Sequence, residues 1–161
     1  MIKEIYKSEI AECVNVIRKS FQTVADEFGF TIENAPRFTA FATTEERLLF
    51  QLEIEHRPML AYYSDNGKIL GYYSLLFLEN SECELNNLCV LPEFRHKQIG
   101  EALLGNAFDF AKNKGCTKMK IGIVEENKVL RRWYEKHGFI HTHTEKYDFF
   151  PFTCGYMEKD L

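Results

Sequence analysis

Apolar residues recur along this chain in two rhythms, near every second residue and near every third or fourth, and the changes of rhythm mark its elements. Ile2-Lys3-Glu4-Ile5-Tyr6 looks like a short strand. Ser8 then stands where an N-cap belongs, ahead of Ile10, Cys13, Val14, Ile17 and Phe21 at helical spacing. Residues 24–42, with Gly29, Pro36 and many aromatics, read as irregular. Thr43 and Glu46 have capping-box spacing and predict a second helix over 44–54. Met59–Tyr63 and Ile69–Phe77 flank Asp65-Asn66-Gly67, a strong hairpin signal. A strand over Cys83–Leu91 leads to a helix over 99–113, with Ala102, Leu103, Ala107, Phe110 and Ala111 inward and Gly115 at its end. Lys118–Val124 alternates as a strand, a short helix over 127–136 ends at Gly138, and Phe139–His143 and Gly155–Lys159 read as final strands. Hairpins combined with strand–helix–strand units imply an α/β protein with a mixed sheet and helices on both faces.

The 161 residues suit one domain over 1–161 with a sizeable core, and 45% hydrophobic with 27% charged residues is a globular composition. The net charge of -4 provides no global positive field, so no nucleic-acid partner is expected. The first residues mix charge into every apolar stretch, unlike a signal peptide, and no run approaches the roughly 18–20 apolar residues of a membrane span. The five cysteines, Cys13, Cys83, Cys89, Cys116 and Cys154, are odd in number and include no Cys-x-x-Cys. They read as reduced thiols of a cytoplasmic protein, with no membrane partner.

Chemistry concentrates at 88–104, where an apolar strand meets Pro92, a basic turn and an amphipathic helix. Such a junction aims several backbone N–H groups and the helix dipole at one spot, and Arg95 and Lys97 add charge, a ready site for phosphate or pyrophosphate. The turn reads Arg95-His96-Lys97-Gln98-Ile99-Gly100. Downstream, Asn127 is followed seven residues later by Tyr134, within Trp133-Tyr134-Glu135-Lys136-His137-Gly138-Phe139. Seven residues is about two helical turns, so both side chains can share one face.

Together with the element order, these two motifs resemble the GNAT superfamily of acyl-CoA-dependent N-acetyltransferases. That family carries an [Arg/Gln]-x-x-Gly-x-[Gly/Ala] pyrophosphate turn, an Asn that contacts the cofactor, and a Tyr within Tyr-Glu-x-x-Gly-Phe. The resemblance implies a mostly antiparallel central sheet with a splayed parallel strand pair, and acetyl-CoA as cosubstrate with no metal. By position, the backbone of Leu88, Cys89 and Val90 would hold the pantetheine arm and the thioester carbonyl, where N–H groups can stabilise a developing oxyanion. Arg95, His96, Lys97, Gln98, Ile99, Gly100 and Glu101 would hold the pyrophosphate, with Asn127 and Tyr134 as further contacts. Gln98 stands in place of the usual first glycine. Its expected geometry is a negative, helix-like φ with the side chain turned away from the phosphates.

The implied reaction is direct acetyl transfer to a primary amine in a ternary complex. A lysine-like amine has a pKa near 10.4, so its deprotonation at pH 7 costs roughly 4–5 kcal/mol and calls for a base. Glu84, in a Glu-Leu-x-x-Leu-x-Val pattern, is the choice, with Glu82, Glu125 and Glu126 as rivals; Gly122 occupies the position where some relatives place the base. Tyr134 would donate a hydrogen bond to the departing thiolate. The same motifs also fit an acyl-CoA-binding sensor or interaction module without catalysis. A nucleotide-binding protein of another fold lacks support, since there is no Gly-x-x-x-x-Gly-Lys-[Ser/Thr].

His141 and His143 would share one strand face, a feasible ligand pair, but no third ligand is evident and no metal is expected. Cys89 beside the thioester site reads as a buried apolar side chain rather than a nucleophile. The aromatics of 21–42 and 148–156 read as core that also borders the acceptor pocket. Asp26, Glu27, Glu33, Glu45 and Glu46 would bias that side negative and favour a cationic amine. Small-molecule and peptide amines both remain open as acceptor, as does a homodimer.

Overall fold

The computed structural model describes residues 1–161. Seven strands, β1 (Ile2–Glu4), β2 (Met59–Tyr63), β3 (Ile69–Phe77), β4 (Glu82–Val90), β5 (Lys118–Val124), β6 (Ile140–Glu145) and β7 (Cys154–Asp160), form one sheet in the order β1-β2-β3-β4-β5-β7-β6. All neighbours are antiparallel except β4 and β5. Those two pair only at Glu82–Glu84 against Lys118–Lys120 and then part.

Helices α1 (Ile10–Phe28), α2 (Thr39–Ala42) and α3 (Glu45–Glu53) occupy one side of the chain order, and α4 (Ile99–Asn113) and α5 (Lys128–Lys136) the other. The sheet separates two cores. Ile10, Cys13, Val16 and Ile17 of α1 and Leu48 of α3 pack with Ala61, Tyr72, Cys89 and Leu91. Leu103, Leu104, Ala107 and Ala111 of α4 and Tyr134 of α5 pack with Leu75, Leu85, Met119 and Ile121. A third cluster gathers Phe30, Phe38 and Phe152 over Val124, with Phe21, Phe28, Phe41 and Phe150 partly buried against it, while Phe149 is exposed.

The expected elements are present, with shifts that follow from capping. Ser8 lies in a 3-10 turn, Lys7–Glu9, rather than capping α1; the Glu9 carboxylate instead accepts the Tyr6 N–H at 2.8 Å. Helix α1 continues through Phe28 into the stretch expected to be irregular, and stops at Gly29 with φ 74°. The cap of α3 is Thr44, whose hydroxyl accepts the Arg47 N–H at 3.1 Å, while the Thr43 hydroxyl donates to Thr39 O. In α4 the inward set holds for Leu103, Ala107 and Ala111, but Ala102 is exposed and Leu104 takes its place.

Strand β4 carries a bulge. Ser74 of β3 faces Asn86 and Tyr72 faces Cys89, so Asn87 and Leu88 together face Tyr73. Asn87 has φ 56°. Before the bulge Leu85 packs towards α4, and after it Leu88 and Val90 do, while Cys89 and Leu91 pack towards α1.

Candidate active site

Beyond Glu84, β4 has no neighbour on its β5 side, and beyond Lys120, β5 has none on its β4 side. The backbone edges of Leu85–Val90 and Ile121–Val124 therefore border an open cleft. Parallel strands cannot diverge without leaving such groups unpaired. The Val90 carbonyl is already used, accepting from Arg95 Nε at 3.2 Å.

The basic turn closes one end of this cleft. No backbone N–H from His96 to Glu101 is hydrogen-bonded within the chain; the first such bond of the helix is Ala102 N–H to Gln98 O at 3.0 Å. His96 at φ 61° and Gln98 at φ 65° are both left-handed, which turns successive N–H groups to one side. This corrects the expectation for Gln98: it is the left-handed N-cap of α4, the conformation a glycine would adopt without strain. The Gln98 side chain makes no cap bond and is exposed. At Gly100, a Cβ would meet Trp133 Cζ2 at 3.6 Å and Val90 Cγ2 at 3.8 Å, an ordinary fit. The chain itself thus tolerates alanine at Gly100. These free N–H groups and the α4 dipole suit a pyrophosphate.

Arg95 does not face that cradle. Its guanidinium donates to Val90 O, to Thr23 Oγ1 at 3.0 Å and to Ser20 O at 2.8 Å, fastening the turn to α1. The positive charge beside the free N–H groups comes instead from exposed Lys97.

Asn127 caps α5, its Oδ1 accepting the Leu130 N–H at 3.2 Å, which leaves Nδ2 for a ligand. Tyr134 is buried between Trp133 and Phe139, with ring centroids at 5.0 and 5.3 Å. Its hydroxyl bonds no other residue, and burial pushes its pKa up, so it stays a neutral donor. Cys89 is buried, and burial pushes its thiol up to about 12, which leaves no thiolate for nucleophilic work at neutral pH.

Among the four carboxylates weighed as base, three are engaged. Glu82 pairs with Lys120 at 2.8 Å, whose hydrogen bond holds it below the usual carboxylate range. Glu126 accepts the Thr153 N–H through both oxygens, at 2.9 and 3.1 Å. Glu125 pairs with His141 at 2.8 Å and with Arg131 at 2.8 Å. Burial opposes its ionisation, but the hydrogen bond and charge interaction with His141, together with Arg131 and Lys128, outweigh it and hold its pKa low. Glu84 alone has no ion-pair or hydrogen-bond partner, and it lines a cavity of about 240 Å³.

That cavity escapes sequence reasoning. Arg37, Thr39, Ala42, Thr43, Arg47, Gln51 and Arg57 reach it from residues 37–57, and Glu84, Asn86 and Asn87 from β4. Asp26, Glu27, Glu33, Glu45 and Glu46 are all exposed and none lines it, so the expected negative bias of the acceptor side does not hold for this cavity. The histidines also diverge. The ladder slips between His141 and His143; His141 turns to Glu125 while His143 stacks on Tyr156 at 4.7 Å. No group of three or more His, Cys, Asp or Glu could hold a metal ion, and all five cysteines are free.

A mixed sheet parted between its parallel strands, with a run of unbonded N–H groups in the turn after β4, defines an α/β architecture with an open central cleft. The model of the Acetyltransferase (GNAT) family matches residues 26–139, more than half of the chain, and the chain belongs to that family. A spermidine N(1)-acetyltransferase from Thermoplasma acidophilum is 33% identical over 84 residues, 52% of this chain and 52% of that protein. The chain spans about half the length of the curated relatives it matches. In structure it is similar to a PaiA N-acetyltransferase from Thermoplasma acidophilum in complex with coenzyme A, with TM-score 0.85, 22% identity and coverage of 100% and 98% of the two chains. The ribosomal-protein-S18-alanine N-acetyltransferase from Escherichia coli aligns with TM-score 0.78 at 14% identity, over 100% and 93%. These two likenesses establish the fold.

Proposed function

We propose that the protein is an acyltransferase that moves the acetyl group of acetyl-CoA to a primary amine by direct attack in a ternary complex. The observation that carries the reading is the run of unbonded N–H groups from His96 to Glu101 at the mouth of the cleft between β4 and β5. Six donors and a helix dipole at one place match a pyrophosphate, and an extended arm leading from it fits between two unpaired strand edges. Leu88, Cys89 and Val90 supply the β4 edge, and Lys97, Gln98, Ile99, Gly100 and Asn127 surround the anion.

Glu84 is the base in this reading. The amine nitrogen forms a bond to the acetyl carbonyl carbon, and the carbon–sulfur bond breaks. The proton leaving nitrogen goes to the Glu84 carboxylate, directly or through one water, and the sulfur departs as a thiolate that accepts a hydrogen bond from the Tyr134 hydroxyl and takes its proton from solvent. A buried tyrosine with a raised pKa suits the donor role better than net proton delivery, since a thiol near 8.5 is the stronger acid.

The test starts from binding. Saturating millimolar acetyl-CoA should raise the melting temperature by mass action. Release of CoA thiol is then followed across an amine panel. Absence of any shift would remove the reading, and a shift without turnover on any amine would leave a non-catalytic acyl-CoA sensor instead.

A further inference from the structure

We infer that the acceptor is a small amine that also carries an anionic group, held in the cavity beside Glu84. This rests on the acetyltransferase reading above. Arg37 and Arg47 both line it, and neither has a carboxylate within ion-pair distance. The Arg37 guanidinium lies 4.3 Å over the Phe149 ring, which orients it without neutralising it. Arg57 is spanned by Glu55 through two bonds of 3.2 Å. The cavity thus has two guanidinium groups free for an oxyanion, a geometry suited to carboxylate or phosphate.

The deeper wall asks for different chemistry. Gln51 is 8% exposed, lines the cavity, and its Oε1 has no hydrogen-bond partner. Asn86, also lining it, has an unpartnered Nδ2, a donor that suits the oxyanion of such a ligand. A buried polar atom left unpaired is costly, and a ligand group that pairs it removes that cost. The Gln51 oxygen accepts only, so it wants an N–H, and the Glu84 carboxylate wants the same. An amine held by Gln51 and Glu84 and an oxyanion held by Arg37 or Arg47 combine in one small molecule, since all four side chains line the same cavity of about 240 Å³. A polyamine, cationic throughout, would set positive charge against both free guanidinium groups.

The experiment compares matched pairs under saturating acetyl-CoA, following CoA thiol release. Each of a panel of α-amino acids is set against its decarboxylated amine, O-phosphoethanolamine against ethanolamine, and spermidine serves as the all-cationic amine. The anion-bearing member of at least one pair should show kcat/KM about tenfold or more above its partner and above spermidine. The carboxylate and phosphate pairs tell which oxyanion is taken. In R37Q and R47Q that ratio should collapse towards one through KM of the acceptor, with KM for acetyl-CoA unmoved. Turnover favouring spermidine or the decarboxylated amines would overturn the inference while leaving the acetyltransferase reading intact. A rise in KM for acetyl-CoA in R37Q or R47Q would also overturn it, by assigning the cavity to the cosubstrate. No stabilisation by acetyl-CoA would remove both.

Discussion

Arg95 Nη2 donates to the Ser20 carbonyl at 2.8 Å, joining the turn after β4 to a helix 75 residues earlier in the chain. With the bonds to Val90 O and Thr23 Oγ1, one guanidinium ties strand, turn and α1 together. Arg95→Ala should therefore act on stability first. Loss of charge-assisted bonds at a half-buried site costs about 2 kcal/mol, or a fall in Tm of about 4–8 °C at this size. Calorimetry checks it; an unchanged Tm with a large rise in KM for acetyl-CoA would place the side chain at the phosphates instead.

Gln98 pays for its left-handed backbone at φ 65°. Gln98→Gly should relieve strain of about 1 kcal/mol, partly offset by the greater freedom of glycine in the unfolded chain. The expected net is a rise in Tm of about 1–2 °C with acetyl-CoA affinity equal or better. A lower Tm would show that Gln98 does not hold this conformation in solution.

Glu84→Gln should lower kcat by about 10²–10⁴-fold if Glu84 is the base. Glu82→Gln, which breaks only the Lys120 pair, should leave kcat within a few-fold. Equal losses in the two variants, measured as initial rates, would deny Glu84 that role.

Tyr134→Phe keeps the ring between Trp133 and Phe139 and removes only the hydroxyl. We expect kcat to fall about tenfold or more, with the acetyl-CoA dissociation constant nearly unchanged. Because burial raises the pKa of Tyr134, the wild-type rate should show no alkaline decline from this residue up to about pH 10, the ordinary tyrosine value. A kcat decline that begins well below that pH and vanishes in Tyr134→Phe would contradict the neutral-donor assignment.

Glu125, held low by His141 and Arg131, links stability to pH. A carboxylate whose native pKa lies below its unfolded value, near 4.3, contributes stability that is fully present above that value and lost as pH falls through the native one. Tm should fall on acidification below about pH 4, and less steeply in Glu125→Gln. Parallel Tm profiles for the two proteins would show that the pair contributes nothing at that pH.

How much of this was legible beforehand depended on the kind of signal. Periodicity located β4, α4, β5 and α5, because amphipathic faces are written into the sequence. Helix starts slipped by one residue, since adjacent Thr43 and Thr44 offer equal caps and only packing chooses between them. The turn before α4 was legible in position but not in conformation: Gln98 adopts the left-handed state its side chain disfavours because the strand-to-helix path requires it. The cavity was illegible. Arg37 and Arg57 come from two connecting segments and Arg47 from the first turn of α3; they share no repeat and meet Glu84 only through tertiary packing.

The bulge at Asn87 works as a reading-frame shift in side-chain parity. Even-numbered Glu84 and Asn86 face the cavity, yet odd-numbered Cys89 and Leu91 fill the core on that same side of the sheet. One extra residue lets a single strand serve a polar chamber at its start and an oily wall at its end. Deleting Asn87 would put these two demands out of step, and no substitution elsewhere in β4 could restore both.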